Sequence, residues 1–158
     1  MSDTLSVRKE SSKAEKYQDL LPQIKGLLSD ERNIIANLSN IAAALKQTFD
    51  FWWVGFYLTE DDELVLGPFQ GPVACTRIKA GKGVCGAAMV EKKTMLVADV
   101  ESFPGHIACS AESKSEIVVP VLHEGKVKMV LDIDSNLLNN FDQTDQQFLE
   151  QLATIIAD

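Results

Sequence analysis

The chain has 158 residues, of which 46% are hydrophobic and 24% charged, and carries a formal net charge of -8. That length suits one domain with its own core, and the acidic balance argues against nucleic acid, whose phosphates need a basic face. No apolar run is long enough to span a membrane, and the polar stretch from Met1 to Lys13 lacks the apolar centre of a secretory signal, so a cytoplasmic protein is expected.

Residues 1–12 read as a mobile lead and residues 13–158 as a single domain. A first helix is predicted from Tyr17, Leu20, Leu21, Ile24, Leu27 and Leu28, which recur at the spacing of one helical face. Pro22 should kink it or mark its first turn. A second helix is expected from near Asp30, with Ile34, Ile35, Leu38, Ile41, Leu45 and Phe49 on its apolar side.

The run Phe51 to Leu58 is aromatic and apolar on both faces, as in a central strand. Alternation places Trp53, Gly55 and Tyr57 on one face and Val54, Phe56 and Leu58 on the other. Trp53 and Tyr57 are either core or the wall of a pocket, with Gly55 leaving space between them. Asp61-Asp62 marks a turn, and Glu63 to Leu66 returns as a strand. Gly67-Pro68 to Gly71-Pro72 reads as a loop, and Ala74 to Ile78 as a short strand.

Gly81-Lys82-Gly83-Val84-Cys85-Gly86 matches G-x-G-x-x-G, with Asp99 downstream. A dinucleotide site is not expected from it. That fingerprint needs a buried parallel strand before it and a long helix after it, and here the helix ends near Glu91.

After a strand at Met95 to Ala98 comes the loop Phe103 to Ser115, which holds a lone cysteine, Cys109, among Ala108, Ser110 and Ala111. Small neighbours leave the sulfur room to be reached and loop N–H groups favour the reactive thiolate, the alternative being a half-buried, inert cysteine. Glu116 to Leu122 and Lys126 to Ser135 then form a hairpin around Glu124-Gly125. Pro120 inside the first of these strands implies an edge or a bulge. The last helix is expected to open with Thr144 to Gln147 as a capping box and to bury Phe148, Leu149, Leu152, Ile155 and Ile156. The order of elements gives an α+β fold, a mainly antiparallel sheet with terminal helices on one face and loops on the other.

Along the second hairpin strand, Val127, Met129, Leu131 and Ile133 should face the core, with Lys128, Val130, Asp132 and Asp134 opposite. A three-residue hairpin loop would set Glu116 against Asp134 on that second face. A two-residue loop would turn Glu116 away. In the first register three carboxylates meet the loop of Cys109. Clustered carboxylates repel, so one can hold a proton near neutral pH and act as an acid. A thiol beside such an acid suits reduction of an S=O bond, leaving a sulfenic acid that Cys75 or Cys85 could convert to a disulfide.

Zinc is not expected, because Cys75, Cys85, Cys109 and His106 contain no pair at structural-zinc spacing. A cysteine hydrolase using His106 as base lacks an orienting third member.

Several segments together resemble the free methionine-(R)-sulfoxide reductases, which are single GAF-domain enzymes. They are Trp52 to Tyr57, Gly67 to Gly71, Ala74 to Ile78, Gly81 to Gly86, Phe103 to Cys109, Ser115 to Pro120 and Leu131 to Ser135. The resemblance implies a GAF-like fold and thiol-based reduction of free L-methionine-(R)-S-oxide, with no bound cofactor or metal and with thioredoxin as external reductant. It also implies roles. Cys109 becomes the sulfenic acid, Cys75 is the main resolving cysteine and Cys85 an auxiliary. Trp53 and Tyr57 pack around the substrate's methyl group. Glu116, Asp132 and Asp134 bind the amino group and sulfoxide oxygen, and N–H groups around Ile107, Ala108 and Cys109 hold the carboxylate. The competing class is a GAF module that senses a small molecule or an oxidant. Whether the chain forms a homodimer is left open by the sequence.

Overall fold

A computed structural model describes residues 4–106 and 111–158. Helix α1 (Lys13–Ser29) opens on a capping box between Ser12 and Glu15 and buries Tyr17, Leu20, Leu21 and Ile24. Pro22 lies well inside this helix rather than in its first turn. The lost hydrogen bond there is offset by burial of the face on either side of it. Helix α2 (Ile34–Phe49) is capped by Asn33, whose side chain accepts from the N–H of Ala36. It begins later than the sequence suggested, and Ile34 and Ile35 are exposed rather than part of its core side, which is Leu38, Ile41, Ala42, Ala44 and Leu45.

The sheet contains β1 (Trp53–Glu60), β2 (Glu63–Gln70), β3 (Arg77–Lys79), β4 (Met95–Val97), β5 (Ser115–His123) and β6 (Lys126–Ser135). Their spatial order is β3-β2-β1-β6-β5-β4, and every pairing is antiparallel. Helix α3 (Gly83–Glu91) follows the edge strand β3, so the glycine fingerprint does not sit in a parallel βαβ unit. Helix α4 (Gln143–Ala157) closes the chain. Its capping box uses Asp142 and Asp145, one turn-fraction earlier than the Thr144 to Gln147 box expected.

Strand β2 continues through Gly67 and Pro68, which the sequence suggested as loop. Gly55 pairs with Phe69 and Tyr57 with Leu66, so Phe56 faces two residues, Gly67 and Pro68, in a β-bulge. Proline is tolerated at a bulge, and β3 pairs only with Glu63 to Val65, leaving that side of β2 open. Pro120 is placed by a similar allowance. It pairs with Val130 beyond the reach of β4, just ahead of a second bulge at Val121/Leu122.

That second bulge governs the register of the hairpin. Glu124 and Gly125 both have positive φ, 52° and 77°, as in the two-residue turn that matches strand twist. His123 pairs with Lys126 and Leu122 with Val127, but Val121 pairs with Met129, so Lys128 is the extra residue. The expectation that a two-residue loop turns Glu116 away is therefore corrected. The bulge restores the slip, and Glu116 pairs with Asp134. It also moves Val127 off the face of Met129, Leu131 and Ile133, where strict alternation had placed it.

Two apolar layers flank the sheet. On one face α1, α2 and α4 cover Val54, Phe56, Ile117, Val119, Leu131 and Ile133. On the other, α3 and the connecting segments cover Trp53, Tyr57, Val118, Val127 and Val130. Residues before α1 lie against it. Ser6 N–H donates to Gln23 Oε1 at 2.8 Å, and Arg8 pairs with Asp19 at 2.8 Å and Glu15 at 3.0 Å. Tyr17 and Lys13 of α1 both donate to the buried Asp145 of α4, each at 2.6 Å. This acid thus caps its own helix and ties the two together.

Candidate active site

The second sheet face carries an acidic patch at its centre. Strand pairing sets Trp53 and Glu116 on either side of Asp134, and Gly55 and Val118 on either side of Asp132. Glu116 and Asp132 are 6% and 5% exposed. A cavity of about 580 Å³, counted to its open mouth, lies over them. Its walls include Trp53, Tyr57, Ala74, Cys85, His106 and Ser113, and its floor Glu116, Asp132 and Asp134.

No lysine or arginine among the described residues forms an ion pair with these three acids. Burial alone raises the affinity of each for a proton, and their mutual repulsion adds to it. Glu116 is pushed well above the ordinary carboxyl range by burial, then by Asp132 and Asp134. Asp134 is also pushed well up, by burial and then by Asp132, while a hydrogen bond from Ser113 Oγ at 3.1 Å opposes the rise. Asp132 is raised by burial, while the nearby Glu116 and Cys85 oppose the rise by favouring its charged form. Burial and mutual repulsion thus hold protons on this group to a pH above the ordinary carboxyl range, and the three titrate together rather than singly.

The aromatic wall is held from behind. Trp53 stacks on Phe69 at 5.2 Å and on Tyr57 at 6.0 Å between ring centres. Its indole N–H donates to the carbonyl of Pro72 at 2.9 Å, and the Tyr57 hydroxyl donates to the carbonyl of Cys75 at 2.8 Å. The two rings thus shape the pocket and also anchor the segment that carries Cys75. Cys75 is disulfide-bonded.

Cys85 sits on the first turn of α3, is 4% exposed, and points its sulfur at Glu116 Oε2, 3.9 Å away. Burial, then the charges of Asp132, Glu116 and Asp134, push its thiol well above the ordinary value. One ligand atom each from Cys85, Glu116 and Asp132 lies within 4.8 Å of the others, close enough to hold a metal ion.

Of the residues singled out in the sequence, Trp53, Tyr57, Cys85, Glu116, Asp132 and Asp134 come together around one cavity. Ile107, Ala108 and Cys109 lie outside the described residues. Sequence reasoning passed over Ser113, the hydrogen-bond donor to Asp134, and gave His106 no place in the cavity, where its Nδ1 is buried with no partner among the described residues. Both flank the cysteine loop, and that position was the available signal.

Residues 30–158 match the family described as GAF domain. The chain is 56% identical to GAF domain-containing protein A of Dictyostelium discoideum, over 99% of each chain. It is 43% identical to the free methionine-R-sulfoxide reductase of Saccharomyces cerevisiae, over 98% of this chain and 91% of that one. A crystal structure of the free methionine-R-sulfoxide reductase of Neisseria meningitidis with its substrate superposes with a TM-score of 0.96 at 50% identity, covering 99% and 94% of the two chains. With its antiparallel GAF fold and these relatives, the chain belongs to the free methionine-(R)-sulfoxide reductase family of GAF-domain proteins.

Proposed function

We propose that the protein reduces free L-methionine-(R)-S-oxide to L-methionine. The observation that carries the reading is the cavity in which Trp53 and Tyr57 face a buried, proton-holding group of three acids. Family membership supports the same reaction.

In this reading Cys109 attacks the sulfoxide sulfur. A protonated carboxyl among Glu116, Asp132 and Asp134 gives its proton to the sulfoxide oxygen. The S–O bond to the substrate breaks as oxygen passes to Cys109, which is oxidised to the sulfenic acid while the sulfoxide is reduced to the thioether. The thiol of Cys75 then attacks the sulfenic sulfur, a disulfide forms and water leaves. The dithiol of thioredoxin reduces that disulfide in turn. The enzyme needs no bound cofactor for these steps.

The substrate's ammonium group meets the remaining carboxylate charge, its methyl group packs on Trp53 and Tyr57, and its carboxylate takes N–H groups from Ile107 to Cys109. A site that pairs both charged ends of an amino acid leaves no exit for a peptide chain. The stated reaction belongs to the cytoplasm, where thioredoxin is reducing.

The test follows NADPH loss with thioredoxin and thioredoxin reductase, using the free (R) epimer, the (S) epimer, a peptide-bound sulfoxide and a Cys109→Ser variant. Loss with the free (R) epimer alone, abolished by the substitution, is expected. No loss with either epimer would replace this reading with that of a ligand-sensing GAF module.

A further inference from the structure

The acidic floor of the cavity has no ion-paired cation among the described residues, although Lys82 lines the same cavity. Glu116 and Asp132 are buried, and no basic side chain of the described residues pairs with them. Asp132 Oδ1 is buried with no hydrogen-bond partner. The thiol of Cys85 adds a third donor from α3, 3.9 Å from Glu116 Oε2. These three ligand atoms lie within 4.8 Å of one another.

We propose that Cys85, Glu116 and Asp132 form an inhibitory site for a thiophilic divalent cation such as Zn²⁺ or Cd²⁺. Zinc binds thiolate sulfur at about 2.3 Å and carboxylate oxygen at about 2.0–2.2 Å, which spaces tetrahedral ligands roughly 3.4–3.6 Å apart. The Cys85–Glu116 separation of 3.9 Å is already near that spacing. Small side-chain movements into the cavity complete the set and leave the fourth position open to it.

The ligand types select the ion. One sulfur and two carboxylate oxygens suit zinc and cadmium, whereas magnesium and calcium take oxygen alone and keep more water. The cation occupies the acids that the amino group of a substrate would use, so the two compete.

Cation binding is tested without turnover, while its inhibitory character rests on the proposed substrate reading. The probe is Cd²⁺ added to the reduced Cys75→Ser/Cys109→Ser protein, in which Cys85 is the remaining one of the three cysteines. The expected result is a saturable ultraviolet thiolate-to-cadmium charge-transfer band at one ion per chain. The band disappears when Cys85→Ser is added. Asp132→Asn in the double variant weakens cadmium at least tenfold with the fold intact by circular dichroism, and a hundredfold excess of Mg²⁺ does not compete. Free methionine (R)-sulfoxide shifts the cadmium titration to higher concentration. No band in the folded double variant, a band that survives Cys85→Ser, or cadmium affinity unmoved by Asp132→Asn would each overturn the site. A band that the sulfoxide fails to shift would overturn the inhibitory role, because cation and substrate would then not share the acids.

Discussion

Glu116 faces Asp134 directly across the β5–β6 ladder, and both carboxyls are held in protonated form to a pH above their ordinary range. An unfolded chain releases these protons in the usual carboxyl range. Between that range and the raised folded values, the folded state binds more protons than the unfolded one. Their contribution to stability is therefore complete at low pH and is lost as pH rises through the folded values. Glu116→Gln removes one of the groups responsible. In urea melts it should be more stable than the parent by roughly 1–3 kcal/mol at pH 8, with the advantage gone near pH 4. Equal or lower stability at pH 8 would mean that the acids are not held neutral by the fold. Turnover should fall on the alkaline side in the parent, as the proton donor is lost.

The hairpin bulge gives a sharper test of how the site is assembled. Lys128 is exposed and is the unpaired residue that brings Glu116 into register with Asp134. Lys128→Ala keeps the residue count and should change stability by no more than about 0.5 kcal/mol. Deleting Lys128 removes the bulge and leaves Val127 opposite Leu122 and Met129 opposite Val121, so every side chain from Met129 onward keeps its face and Glu116 still pairs with Asp134. The deletion should therefore fold and cost no more than about 0.5–3 kcal/mol in a urea melt. A deletion variant that fails to fold would show that the register needs the bulged residue itself.

Much of this could be read from the chain, and the misses share a cause. Trp53, Gly55 and Tyr57 on one face follow from alternation, which holds wherever a strand is regular, whereas the pairing of Glu116 with Asp134 was open between two hairpin registers and is set by the bulge. Alternation fails at bulges. Gly67-Pro68 reads as a loop because a bulge in β2 uses the residues that normally end strands, and Val127 changes face because Lys128 interrupts the count. Caps were misplaced for a related reason. Asp142 competes with Thr144 as the first acceptor of α4, and the choice is made by Asp145, which Tyr17 and Lys13 hold from another helix. That tertiary contact has no local signature. The position of Cys85 against Glu116 likewise depends on how α3 packs over the sheet.

The absence of a side chain at Gly55 sets how closely β1 and β2 pack behind the pocket. A Cβ there would stand 2.3 Å from Phe69 Cβ and 2.8 Å from Trp53 Cη2. The first neighbour is attached to backbone and cannot swing away. Gly55→Ala should cost about 1–3 kcal/mol as an overpacked site, lowering Tm by roughly 3–10 °C. Trp53 must also shift from its stack on Phe69, so its near-ultraviolet circular dichroism should change. A variant with unaltered Tm and tryptophan signal would show that the strands can part without disturbing the wall.

Cys85 sets two opposed effects against each other. A thiol on the first turn of a helix gains from the N-terminal dipole, which favours thiolate by about 0.3–1 kcal/mol and up to about 2 in favourable partly buried sites. Full burial can oppose it by up to about 3–5 pKa units, roughly 4–7 kcal/mol, and the neighbouring acids add to that. Burial wins, and the thiol stays protonated. In the Cys75→Ser/Cys109→Ser protein, Cys85 should react with a disulfide reagent at pH 8 at least about a hundredfold more slowly than the same thiol in denaturant. Glu116→Gln in that protein removes one repelling charge but leaves the burial, so it should raise the native rate by less than about tenfold. A native thiol as fast as the unfolded one would place Cys85 among the accessible, reactive cysteines and restore it as a nucleophile.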